Sequence, residues 1–285
     1  MARRAHYVRT VKQQVESIFI LDGGDALAIG LPGSQTEREK ARKRSEFVLK
    51  TYEKMGYDAL NIGDTDMVLG TNYLKTLQES SKIPFLSANL MDKKTEKPFF
   101  QPYLIKMVNG LRIGIIGLLT PEVPPHVCKE MEGYFIEDPI KVAAETVHRF
   151  MSDCDQIIAL AHLHPSEIES IVQEVPQISI IIGGNDRSFI FQKHICRSIY
   201  VQTDAFGLHV GRLNLRLVKG SKEFVDGPPI RIERGLLEEG TESPDAEEKN
   251  TYENFFTLLH PEMESDPEIE SMISSSRNQL KRPLP

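Results

Sequence analysis

QIIALAHLHPSEIESIVQEVPQISIIIGGND, residues 156–186, contains two apolar runs of strand length on either side of an amphipathic stretch that opens at Pro165. Strand-length runs alternating with helix-length stretches are the pattern of layered α/β proteins, in which both faces of a sheet are covered. Working outward from this unit, the same alternation covers most of the chain. SIFILD (17–22) is a strand ending in the Gly pair of LDGGD, and a Gly/Pro-rich loop follows. Thr36 opens a helix with Glu37 and Glu39 in its first turn, where carboxylates suit the dipole, and Gly56 closes it. Ala41, Val48, Tyr52 and Met55 share one side of that helix and are expected to pack on the sheet.

DALNIG (58–63) is the next strand, TNYLKTLQESS (71–81) a helix and PFLSANL (84–90) a strand. KMVNGLRIGIIGL (106–118) is a hairpin turning at Asn109-Gly110, the residue pair that tolerates positive φ at both turn positions. A helix from about Pro139 to Ser152 precedes the 156–186 unit, and RSIYVQT (197–203) and HVGRLNLRLV (209–218) are the last strands. Past Gly220 the pattern degrades, and only NFFTLLH (254–260) and DPEIESMISSSRNQL (266–280) have helical character. The organisation expected is a main domain over 1–220, an acidic linker over 221–250 and a helical or disordered tail over 251–285.

With 285 residues and 40% apolar composition the chain can build one large core. No run approaches the roughly 20 apolar residues that cross a bilayer, and MARRAHYVRTVKQQ lacks the apolar stretch of a secretory signal, so the sequence reads as cytoplasmic. An upstream export signal would change that to periplasmic or secreted. Cys128, Cys154 and Cys196 are too scattered for a disulfide framework or a Cys-x-x-Cys knuckle. The net charge of −7 conceals twelve carboxylates against one lysine between residues 238 and 270. The rest is mildly basic but has no basic aromatic stripe, which argues against nucleic acid as a partner. The acidic tail is the one segment that suggests a protein partner.

In such sheets ligands bind beyond the carboxyl ends of strands. Asp25 follows FILDGG, Asp64 and Asp66 follow ALNIG, His162 and His164 follow IIALA, and Asn185, Asp186 and Arg187 follow IIIGG. Each alone reads as an ordinary turn or hydrogen-bonded residue. Together, four strand ends deliver an oxygen and nitrogen donor set suited to a hard or borderline divalent ion. The pairs Gly23-Gly24 and Gly183-Gly184 either turn the chain or bring backbone amides near a phosphate. Asp204 and His209 flank the turn of the closing hairpin and would join the site only if that turn folds over it.

At these residues the sequence resembles the catalytic domain of the 5′-nucleotidase branch of the calcineurin-like metallophosphoesterases. ARRAHYVRTVKQQ (2–14) is similar to the helix after the family's first metal motif, FILDGGDAL (19–27) to its Gly-Asp motif, and MGYDALNIGDTDMVLG (55–70) to its Gly-Asn-His-Glu block. FLSANL, GLRIGIIGLLTP, IIALAHLHP, IIIGGNDRS and YVQTDAFGLHVGRLNL follow in the family's order. The resemblance implies a four-layer α/β/β/α sandwich, here expected to lack its first strand, and hydrolysis of phosphate esters by metal-activated hydroxide.

Carried over by position, Asp25 matches the carboxylate that bridges two metals. Asp64 stands where the second ion's asparagine would be, and His162 matches that ion's histidine. Asn185 and Arg187 stand in the Gly-Gly-His-x-His turn. Thr65 replaces the histidine that assists the leaving group, Val68 the acid that orients it, and the opening Asp-x-His motif has no counterpart. Arg187 puts a permanent cation at a ligand position of the first ion. The expectation is therefore one Mg²⁺ or Mn²⁺ rather than two, held by Asp25, Asp64, His162 and Asn185, or none if Arg187 fills the pocket as an ion pair. The function implied is hydrolysis of a nucleotide or another small phosphomonoester. A catalytically inactive relative that binds a ligand or partner stays open as the alternative.

Overall fold

The computed structural model describes residues 1–30, 32–186, 189–221, 224, 231–233 and 250–281. In chain order its elements are α1 (Ala2–Gln14), β1 (Leu21–Asp22), α2 (Gln35–Met55), β2 (Ala59–Asn61), α3 (Thr71–Glu79) and β3 (Phe85–Leu86). Next come β4 (Leu90–Asp92), β5 (Lys97–Pro98), β6 (Tyr103–Val108), β7 (Leu111–Leu119), α4 (Pro125–Glu130) and β8 (Tyr134–Ile136). The second half holds α5 (Pro139–Phe150), β9 (Gln156–His162), α6 (Pro165–Glu174), β10 (Ile180–Gly183), β11 (Ile190–Ile195) and β12 (Ser198–Gln202). β13 (His209–Arg216), β14 (Arg231–Glu233), β15 (Thr251–Leu258) and α7 (Pro267–Lys281) complete it.

The largest sheet has the order β11-β12-β10-β9-β7-β6. Its centre is parallel, and every residue of β9 is buried, which is why this strand reads as a continuous apolar run instead of an alternating one. One face packs on α5 and α6 through Val142, Val147, Phe150, Ile168, Ile171 and Val172. The other face meets β1, β2, β3 and β13 through Ile113, Ile115, Ile158, Leu160 and Ile180, with Ala59, Leu86 and Leu213 opposite. Behind β1-β2-β3 lies a second helical layer in which Val48, Tyr52 and Met55 of α2 and Leu74 and Leu77 of α3 are buried. The result is the four-layer α/β/β/α sandwich.

Local chemistry explains the element ends. Ser34 caps α2: its side chain accepts the Glu37 N–H at 3.2 Å while Glu37 accepts the Ser34 N–H at 3.0 Å. Asn109 and Gly110 have φ of 47° and 79°, the double positive φ that a tight hairpin between β6 and β7 requires.

One sequence expectation is revised. NFFTLLH is not helical: Thr251–Leu258 is a strand paired antiparallel with β13 over eight residues, so the helical or disordered tail expected over 251–285 does not hold there. Aromatic Tyr252, Phe255 and Phe256 are buried against the sandwich, a setting that favours extended backbone over the helix that periodicity alone allows. β11 and the short α4 were not legible, whereas α7 falls where a helix was expected. Most of the acidic linker, 221–250, lies outside the described residues.

Candidate functional site

β1, β2, β9 and β10 are all parallel members of their sheets, so their carboxyl ends share one edge of the sandwich. Two glycines let the sheets approach there. A Cβ on Gly184 would overlap the Gly23 carbonyl, and one on Gly23 would sit 2.8 Å from the Gly183 carbonyl oxygen. The glycine pairs that end β10 and follow β1 therefore pack backbone on backbone, a reason for their small size that turning alone does not give. Gly24, at φ 116°, serves the same approach, since a Cβ there would come within 2.7 Å of His162 Nδ1.

On this edge three side chains converge. His162 Nε2 lies 3.0 Å from Asp64 Oδ1 and 3.6 Å from Asp25 Oδ2, and one donor atom from each residue falls within 4.8 Å of the others. His162 is fully buried at the end of β9, while Asp25 and Asp64 are half-buried. Asp25 has φ 61°, a left-handed backbone that side chains other than glycine, asparagine and aspartate rarely adopt. Its Oδ1 accepts the Thr65 N–H at 2.9 Å, tying the loop after β1 to the loop after β2.

Asp66 organises both loops from beneath. Fully buried, it accepts the backbone N–H groups of Asp25, Leu27, Ala28 and Gly63 at 3.0, 2.8, 3.2 and 3.0 Å. Burial and the charge of Asp25 push its carboxyl up to about 7, and the amides of Gly63 and Leu27 pull against that rise. Asp66 thus holds the backbone and does not stand in for the acid missing at Val68, which is itself core.

The electrostatics of the trio call for a cation. Burial, and then the neighbouring Asp64 charge, raise the Asp25 carboxyl, while His162 opposes both. Burial also works against the Asp64 anion, but the His162 hydrogen bond and charge hold it below the usual range. His162 is driven down by burial and, on balance, up by its bond to Asp64 and the charges of Asp25 and Asp64. A single imidazolium cannot neutralise two carboxylates, and His162 Nδ1 is buried without a hydrogen-bond partner. Two carboxylates and one imidazole nitrogen at this spacing fit a divalent ion better than they fit one another.

The remaining expected residues are distributed as follows. Asn185 Nδ2 sits 3.4 Å from His164 Nδ1, and His164 Nε2 is 3.6 Å from Glu122 Oε2, while the His164 N–H is bound by Glu167 at the start of α6. Thr65 begins a tight turn over Thr65–Leu69 and offers no titratable group at its position. Asp186 has its carbonyl held by Gln202 Nε2 at 2.6 Å. Arg187 lies outside the described residues. One supporting cluster escaped the sequence reading: Tyr52 donates to Asp22 Oδ2 at 2.8 Å, Arg4 donates to the Tyr52 hydroxyl at 3.0 Å, and Tyr52 stacks on Tyr57 at 3.8 Å. The signal was present, since Asp22 is the polar residue that ends a strand directly before the glycine pair.

No protein-family model matches the chain. Among curated proteins it is 24% identical over 218 residues to a 2′,3′-cyclic-nucleotide 2′-phosphodiesterase/3′-nucleotidase of Haemophilus influenzae, covering 69% of this chain and 33% of that protein. It is 26% identical over 267 residues to a snake venom 5′-nucleotidase of Naja atra, covering 84% of this chain and 49% of that protein. The chain thus spans about half or less of the length of these relatives. Among solved structures, the calcineurin-like phosphoesterase YfkN from Bacillus subtilis superposes with a TM-score of 0.75 at 18% identity, over 98% of this chain and 89% of that one. The fold of this chain is that of the calcineurin-like phosphoesterases of the 5′-nucleotidase type.

Proposed function

We propose that the chain is a metal-dependent phosphoesterase resembling 5′-nucleotidases, acting on a nucleotide or another small phosphomonoester. The convergence of Asp25, Asp64 and His162 within 4.8 Å carries this reading. A divalent ion bound there, Mg²⁺ or Mn²⁺ by the hardness of the donors, supplies Lewis acidity toward phosphoryl oxygen and lowers the pKa of bound water. The chain's own part is to hold and orient. Asp25 and Asp64 provide carboxylate oxygens, His162 provides Nε2, and Asn185 is the further oxygen donor that the resemblance assigns. Asp66 fixes the two carboxylate-bearing loops relative to one another. One ion is favoured over two, because only one such trio of carboxylates and imidazole is found among the described residues.

Thr65 offers no general acid at the position that the resemblance gives to a histidine, so leaving groups that depart without protonation are expected to react best. The deciding experiment combines metal content with Mn²⁺-dependent hydrolysis of a chromogenic aryl phosphate by the chain and by Asp25→Ala and His162→Ala. Turnover that both substitutions abolish supports the proposal. A folded protein with neither metal nor turnover would refute it.

A further inference from the structure

The turn after β10 carries Asn185, and the two glycines that open it are pressed from opposite sides. Gly184 lies on the Gly23 backbone of the loop after β1. On the other side, a Cβ on Gly183 would overlap Gln202 Oε1 and come within 2.8 Å of Tyr200 Cε2. Tyr200 and Gln202 stand two residues apart on β12, so both side chains leave the same face of the sheet, and both are buried. That face is the one covered by α5 and α6, where Tyr200 belongs to the apolar core.

A buried amide is oriented by the groups it binds. Gln202 Nε2 donates to the Asp186 carbonyl at 2.6 Å, and Gln202 Oε1 accepts the Tyr200 hydroxyl at 3.0 Å. Burial and the Asp186 charge raise the Tyr200 phenol, so its hydroxyl stays protonated and able to donate. Because a carbonyl can only accept, these two partners leave the Gln202 amide one orientation. The end of the turn is thereby tied to β12 at Asp186, and its start is tied to β9, where the Gly184 N–H donates to the Ala161 carbonyl at 3.2 Å. Asn185 is the residue between these two ties. Its Nδ2 faces His164 Nδ1 at 3.4 Å, which leaves Oδ1 as the atom able to coordinate an ion.

We infer that Gln202 is a positioning residue for the metal site: through the Asp186 carbonyl it fixes the turn 183–186, and so sets the point from which Asn185 reaches the ion. The inference rests on the phosphoesterase reading and deepens it, since it adds to the groups that set metal affinity a buried residue that touches neither ion nor substrate. Removing a group that orients a metal ligand commonly weakens metal binding by about ten- to hundred-fold. A residue that only filled the space beside Gly183 would have no such effect.

The test measures Mn²⁺ binding by calorimetry in the wild type, Gln202→Met, Tyr200→Phe, Asn185→Ala and the double variant Gln202→Met/Asn185→Ala. Gln202→Met keeps the length of the side chain but cannot bind Asp186. Tyr200→Phe removes only the hydroxyl that orients the amide, and it carries the test if Gln202→Met does not fold. Ser198→Ala is the control, since it deletes a buried hydrogen bond, to the Ile178 carbonyl, at the other end of β12. Gln202→Met is expected to raise Kd for Mn²⁺ about ten-fold, Tyr200→Phe to raise it in the same direction, and Ser198→Ala to leave it unchanged. A residue that acts through Asn185 has nothing left to act on once that side chain is gone, so the double variant is expected to bind as weakly as Asn185→Ala alone. An unchanged Kd in Gln202→Met, or a further loss of the same size in the double variant, would overturn the inference. If the wild type binds no Mn²⁺, the metal reading fails separately, and amide hydrogen exchange decides this one. Faster exchange at Gly184 and Asn185 in Gln202→Met than in Ser198→Ala upholds the hold of Gln202 on the turn, and equal exchange refutes it.

Discussion

The Asp66 carboxylate accepts the Asp25 backbone N–H at 3.0 Å, so one proposed metal ligand is held in place by an acid that does not itself face the site. Three further amides bind the same carboxylate, and two of them belong to the loop that Asp25 begins. Asp66→Asn replaces one acceptor oxygen with an amide donor pointed at backbone N–H groups, leaving buried donors unsatisfied. A loss of about 3 kcal/mol is expected, from unmade bonds at about 1–3 kcal/mol each. Urea unfolding at neutral pH checks this, and a change below about 1 kcal/mol would mean that the two loops are held by other contacts.

Backbone strain at Asp25 gives a second, separable expectation. Asp25→Ala and Asp25→Gly delete the same carboxylate and the same bond to the Thr65 N–H, so their difference isolates the cost of φ 61°. Glycine is expected to be the more stable by about 1 kcal/mol, with both variants losing metal-dependent activity. Thermal unfolding without metal is the measurement, and equal midpoints would show that the loop relaxes out of the left-handed region once the side chain is gone.

What the sequence made legible follows from the physics of each element. The unit from Gln156 to Asp186 is buried on both strands and amphipathic in its helix, so its pattern survives in one dimension, and Asn109-Gly110 and Gly56 mark their own boundaries, whereas the start of α2 lies at Gln35, capped by Ser34, and not at Thr36. Thr251–Leu258 was misread because a short apolar run has no decisive period, and the partner that selects strand, β13, lies some forty residues away in sequence. In the site, Asp25, Asp64 and His162 were legible because strand ends deliver them. The inward role of Asp66 was not, since two acids one residue apart in a loop face opposite ways only after the turn over Thr65–Leu69 has formed. The link from Arg4 through Tyr52 to Asp22 joins residues from two helices and a strand, which no local pattern announces.

Asp64 occupies a position that the resemblance gives to asparagine, and the difference has a measurable electrostatic consequence. With Asp64 ionised, the two carboxylates give the donor set a charge of −2, and Asp64→Asn lowers this to −1 while keeping an oxygen donor of the same reach. Mn²⁺ stabilises the folded state according to its concentration relative to Kd. The wild type is therefore expected to show a Mn²⁺-dependent rise in Tm, Asp64→Asn to need about ten-fold more metal for the same rise, or about 1.4 kcal/mol of binding, and His162→Ala to show none. A rise of equal size at equal Mn²⁺ in all three proteins would place the ion elsewhere.

The contact between Gly184 and Gly23 predicts that the site can be opened without touching a ligand. These two residues follow strands of different sheets, and a methyl group on Gly184 would overlap backbone that cannot rotate away as a side chain can. Gly184→Ala must separate the carboxyl end of β10 from the loop after β1, which carries Asp25, while β9 keeps His162 in register with β10 through Ile182 and Gly183. The variant is expected to lose about 2 kcal/mol of stability, within the range for overpacking a closed core, and to lose the Mn²⁺-dependent rise in Tm even though Asp25, Asp64 and His162 are all intact. Ser179→Ala is the control, because Ser179 precedes β10 at its other end and its side chain donates to the Ile157 carbonyl. Its Mn²⁺ response should equal that of the wild type. If Gly184→Ala is destabilised but still binds Mn²⁺ normally, the trio is assembled by the loops and Asp66 alone, and the approach of the two sheets serves packing only.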